Sequence, residues 1–171
     1  MLTKEHKQIA EEIMKAGHRI MGDLGRVNAM YFVVSEGKLL PLPPVNFDDA
    51  NADTSKELMA AIVSHIANKI GAEISMMIDE IWMASPKVPK HIKTMEEAKK
   101  WANEKETKRP SEYPDKTEGL IVIVMLPGGE THILLSNLHR DADGKPHLEK
   151  AEWAPHKKFE TRMLRPWATD A

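Results

Sequence analysis

The chain has 171 residues, 42% of them hydrophobic and 29% charged, with a formal net charge of −2 and no cysteine. This composition suits one globular domain and excludes a disordered chain. The missing cysteines exclude disulfides, thiol catalysis and thiolate metal sites, and the near-neutral balance provides no global field to gather nucleic acid or anionic lipid.

Residues 1–7 lead into an amphipathic stretch and not into an apolar signal core. No run approaches the roughly 20 apolar residues that span a bilayer, so a cytoplasmic protein is expected. Thr3 can cap a first helix, in which Ile9, Ala10, Ile13, Ala16, Gly17 and Ile20 recur at helical spacing. Gly22 and Gly25 are expected to break it. Residues 29–34 read as a β-prone strand, 35–38 as a turn, and Leu39 and Leu40 as a returning strand. Pro41, Pro43 and Pro44 should end that strand, because proline fixes φ and lacks an amide donor.

Asp48, Asp49 and Asp53 form an acidic loop before Thr54-Ser55-Lys56-Glu57, a capping-box pattern for a second helix. Leu58, Ala61, Ile62, His65, Ile66 and Ile70 are its expected buried stripe, and Gly71 its left-handed stop. A long strand follows from Glu73 to Ala84, with Ile74, Met76 and Ile78 on one face and Ser75, Met77 and Asp79 on the other. Residues 85–109 carry eight lysines and arginines against four glutamates, a local charge of +4. Thr94-Met95-Glu96-Glu97 repeats the capping box there, and the segment reads as a charged surface excursion with a short helix.

Residues 120–125 form a continuous apolar run, expected for a buried strand. Pro127-Gly128-Gly129-Glu130 turns the chain back into 132–135, and a last strand is expected around His147 to Trp153, after the Asp141-Ala142-Asp143-Gly144 turn. The expected fold is α+β, a single domain over 1–171. It has one antiparallel-dominated sheet of about six strands, two main helices on one face, a short extra helix, and a C-terminal strap over 154–171.

Glu80-Ile81-Trp82-Met83 at the end of one strand pairs with Arg109-Pro110-Ser111-Glu112-Tyr113-Pro114-Asp115-Lys116 before the next. This pairing resembles a family of small bacterial and phage proteins of uncharacterised function, whose segments look like Glu-Ala-Trp-Met and Pro-Ser-Glu-His-Pro-Asp-Arg. The resemblance covers about residues 54–140 and implies a grouping and a phage or mobile-element setting, with no mechanism. This chain departs from the pattern at Ile81, Tyr113 and Lys116, and the missing histidine argues against imidazole chemistry in the loop.

Pro110 and Pro114 hold Arg109 and Tyr113 extended, so the loop is stiff before it packs. Two readings stand: a preorganised contact loop presenting Glu112, Tyr113 and Asp115, or a clasp that bonds local backbone and packs Tyr113. Glu80, Glu112 and Asp115 are candidates for a carboxylate cluster, which would suit Mg²⁺ or Mn²⁺ in a hydrolase or nuclease. The 139–144 segment hints at a calcium loop but lacks the closing bidentate glutamate, so a hairpin turn is the expectation. The eight histidines show no compact ligand spacing, and no glycine-rich phosphate loop leads from strand to helix.

The tail mixes His156, Lys157, Lys158, Phe159, Arg162, Arg165 and Trp167. It reads either as a contact for nucleic acid or an acidic protein, or as a strap docking Phe159, Met163, Leu164 and Trp167 on the sheet. The first expectation is therefore a non-enzymatic binding or accessory protein that regulates or antagonises a host system. It would contact a host protein or nucleoprotein complex through Glu80, Trp82, Glu112, Tyr113, Asp115, Lys157, Lys158 and Arg162, without catalytic residues, metal or cofactor. The alternative is a divalent-metal hydrolase using the three carboxylates.

Overall fold

The computed structural model describes residues 1–43, 52–83, 93–94, 96–97, 100, 116–155 and 163–167. Helix α1 spans Lys4–Leu24. Thr3 caps it, its hydroxyl accepting the His6 amide at 3.1 Å. Gly25 ends it in the left-handed conformation at φ 72°, donating its amide to Met21 O. Gly22 does not break the helix, because one glycine costs only about 1 kcal/mol in a helix otherwise held by tertiary packing.

Strands β1 (Met30–Ser35) and β2 (Lys38–Leu42) form a hairpin across Glu36 and Gly37, whose φ values of 50° and 68° fit the right-handed strand twist. Pro41 lies inside β2, opposite Phe32, and does not end it. The two-residue turn makes Ser35–Lys38 the closing bonded pair, so the position of Pro41 faces its absent amide away from β1. That is tolerable because β2 is the edge strand.

Helix α2 (Ala52–Lys69) leads to β3 (Ile74–Met83), with Gly71 at φ 62° between them. Then come β4 (Thr117–Met125), a one-turn 3₁₀ helix (Pro127–Gly129), β5 (Thr131–Arg140), β6 (Pro146–Leu148) and β7 (Glu152–Trp153). The sheet is antiparallel throughout, in the order β2-β1-β3-β4-β5-β6, with β7 also on β5. The expected last strand is thus two short ones. Between them Glu149 turns its carbonyl to the Ser136 hydroxyl at 2.6 Å.

The two helices do not share a face. Ala10, Ile13, Met14 and Met21 of α1 pack on Ile74, Met76, Ile78, Leu120, Val122 and Val124. Met59, Val63 and Ala67 of α2 pack on Tyr31, Val33, Met77, Ile121, Ile123 and Met125. These are alternate residues of the same strands, and alternate side chains point to opposite faces. A central strand buried along its whole apolar run needs cover on both sides, which a one-sided arrangement cannot provide.

The stripe that α2 buries also differs from the expected one. Met59, Ala60, Val63 and Ala67 are buried, while Leu58, His65 and Ile70 are exposed. The helix carries two apolar stripes one residue apart, and the one with the alanines allows closer approach. Leu164 and Trp167 lie in the same core, tied by Ser64 Oγ donating to Pro166 O at 3.0 Å and Gly128 N to Trp167 O at 3.1 Å. The capping box of the excursion is formed: Glu97 N donates to Thr94 Oγ1 at 3.1 Å and Thr94 N to Glu97 Oε2 at 3.2 Å. Among the described residues no helix is long and apolar enough to cross a membrane.

Candidate binding surface

Glu80 and Trp82 project from the last residues of β3 onto the face covered elsewhere by α1, since even-numbered residues of β3 point there. The helix ends at Leu24, so this corner of the sheet is left to polar side chains. Arg140, from β5, crosses it. Its Nε donates to Glu118 Oε2 at 2.8 Å, its Nη2 to Glu80 Oε1 at 3.0 Å, and its Nη1 to Gly25 O at 3.1 Å.

Both oxygens of Glu80 are engaged, because the second accepts the Val27 amide at 3.4 Å. One guanidinium therefore binds three strands to the helix exit, and the fork geometry is what arginine provides. Burial works against the arginine charge, but the two carboxylates outweigh it and raise its pKa.

Trp82 stands directly opposite Glu118 in the β3–β4 register. It is 41% exposed, high for a tryptophan on a central strand. The Lys116 ammonium lies 4.7 Å from its ring centroid, within cation–π range. An exposed aromatic ring on a central strand, with one cation over its face, results.

The opposite face of β3 holds a second polar group. Lys56 of α2 reaches Asp79 at 2.6 Å, and Asp79 is buried. Desolvation raises the Asp79 pKa against the pull of Lys56. The same burial, aided by the Asp79 charge, pushes the Tyr31 hydroxyl up to about 12. Tyr31 Oη and Ser75 Oγ are buried and have no hydrogen-bond partner among the described residues.

Of the residues singled out in the sequence, Glu80 and Trp82 share one corner. Glu112, Tyr113, Asp115, Lys157, Lys158 and Arg162 lie outside the described residues. Sequence reading missed Arg140, Glu118, Lys56 and Asp79 as members of polar groups. Only Asp79 had a usable signal, as an acid inside an apolar strand; Arg140 meets Glu80 through a register that no local pattern encodes. Among the described residues, no three metal-ligating side chains converge. No family model, curated protein or solved structure matches the chain.

Proposed function

We propose that this chain is a non-enzymatic binding protein that contacts a host protein, free or within a nucleoprotein complex, through the sheet corner bearing Trp82. The exposure of Trp82 under Lys116, at the corner where Arg140 binds Glu80, carries this reading. Tryptophan and arginine dominate binding energetics at interfaces because they bury large areas on stiff or forked side chains. Here both are held by strands, so little further ordering is needed on contact. In the phage or mobile-element setting that the motif resemblance implies, such contact would regulate or antagonise a host system.

The competing hydrolase reading needs Glu80 to join Glu112 and Asp115 around a divalent ion. The committed bonds of Glu80 to Arg140 and Val27 weigh against it. The test is an affinity pull-down from the natural host with wild type and Trp82→Ala, followed by binding of the recovered partner. Truncating a central tryptophan is expected to weaken binding by about 30-fold, equivalent to about 2 kcal/mol. Equal retention by both proteins would overturn the surface. Metal-dependent hydrolysis abolished by Glu80→Gln would favour the hydrolase instead.

A further inference from the structure

We propose that His139 and His147 form a two-imidazole site for a late divalent transition ion, with Zn²⁺ as the type case. The two residues are eight apart in sequence and show no ligand spacing, but the β5–β6 register sets them directly opposite each other. Opposed residues of an antiparallel pair project to the same face, with α-carbons about 5.5 Å apart when they are the bonded pair. The flanking bonds Glu149 N to Asn137 O, at 2.9 Å, and Asp141 N to Lys145 O, at 3.1 Å, place them in that class.

Each ring is already oriented by a carboxylate. His139 Nε2 lies 2.9 Å from Glu149 Oε1, and His147 Nε2 lies 3.0 Å from Asp141 Oδ2. An ionised carboxylate only accepts hydrogen bonds, so each Nε2 carries a proton, and the tautomer with that single proton has its lone pair on Nδ1. Donation of the other ring N–H to a carboxylate is how metal-bound histidines are held and made more basic.

The carboxylates are themselves fixed. Glu149 Oε2 accepts the Asn137 amide at 2.8 Å, and Asp141 Oδ1 accepts the Lys145 and Asp143 amides at 2.9 and 3.0 Å.

In each ring Nδ1, bonded to Cγ, is the nitrogen nearer the backbone and the one left to meet an ion over the paired strands. Two nitrogens bound to one Zn²⁺ at ~2.0–2.1 Å stand roughly 3.3 Å apart, a gap that side chains at opposed positions can span. Imidazole suits zinc, copper and nickel, whereas magnesium and calcium prefer oxygen. Two protein ligands leave the remaining positions to solvent, and at 62% and 57% exposure both rings are open to an ion.

The test is calorimetric titration of the intact protein with Zn²⁺ near neutral pH, with the histidine ring signals followed by NMR. One ion per chain should bind saturably, perturbing the His139 and His147 rings first. His139→Ala and His147→Ala should each lower affinity at least tenfold, and Glu149→Gln or Asp141→Asn by roughly tenfold. Absence of saturable Zn²⁺ binding, perturbation confined to other histidines, unchanged affinity in either alanine variant, or displacement of Zn²⁺ by equimolar Mg²⁺ would each overturn the site. The ring signals of the wild-type protein decide the matter even where a variant folds poorly.

Discussion

Arg140 Nη2 meets Glu80 Oε1 at 3.0 Å across a whole intervening strand, for β4 separates β5 from β3. Glu118 on β4 fills the gap by binding the same guanidinium. Replacing the arginine leaves two largely shielded carboxylates, 21% and 12% exposed, facing each other without a cation. Arg140→Met should cost about 1–3 kcal/mol. Glu80→Gln should cost less, because the fork keeps Glu118. Urea denaturation with an unchanged m-value would check both.

On the other face, Lys56→Met strips the counter-ion from buried Asp79 and should destabilise by about 2–4 kcal/mol. The double change Lys56→Met with Asp79→Leu should recover much of that, because no buried charge remains unpaired. Tyr31→Phe should cost nothing or slightly stabilise, since the hydroxyl it removes is buried without a partner among the described residues. Ultraviolet titration of the wild type should show one tyrosine ionising near 12, and that transition should be lost in Tyr31→Phe.

The acid limb of the stability profile should have two opposing parts. Glu73 accepts the Gly37 amide at 2.9 Å and faces His6 at 3.1 Å, and these bonds lower its pKa from 4.5. The unfolded chain therefore binds its proton first. The stabilisation is full above 4.5 and is lost as pH falls through the lower folded value. Asp79 runs the other way: its folded pKa lies above the ordinary 3.8, so the folded state binds more protons in that window and stability declines as pH rises through it. Thermal unfolding from about pH 3 to 7 should show a shallower acid loss in Glu73→Gln. In Asp79→Asn the gain on moving from neutral toward mild acid should vanish.

Two glycines of α1 should respond in opposite directions. A β-carbon at Gly17 would collide with Ile78 Cδ1 and come within 2.9 Å of Leu120 Cδ2 on the sheet. Gly17→Ala should cost about 1–3 kcal/mol by overpacking, partly offset by its higher helix propensity. Gly22 has nothing within 4 Å of that position, so Gly22→Ala should stabilise by about 0.5–1 kcal/mol. Melting temperatures of the two variants on either side of wild type would confirm the crossing geometry.

The sequence alone determined what local chemistry controls. Thr3 and Gly25 mark the ends of α1, the Glu36–Gly37 turn makes the hairpin, alternation assigns the faces of β3, and the Thr94–Glu97 box forms as its spacing requires. Each depends on bonds between residues only a few positions apart. Tertiary structure decided the rest. A strand apolar on both sides says it is buried but not which helix covers which face, and of two adjacent apolar stripes on α2 the packing chose Met59 and Val63 over the expected one through Leu58 and His65. The same holds at the polar corner of the sheet, where Glu80 and Trp82 were legible as unusual residues at a strand end. Their partners Arg140, Glu118 and Lys116, like the opposed His139 and His147, come together only through strand register. Register is set by the pairing of whole faces and not by any short pattern, so long-range polar contacts are written into the fold and are invisible in the string of residues.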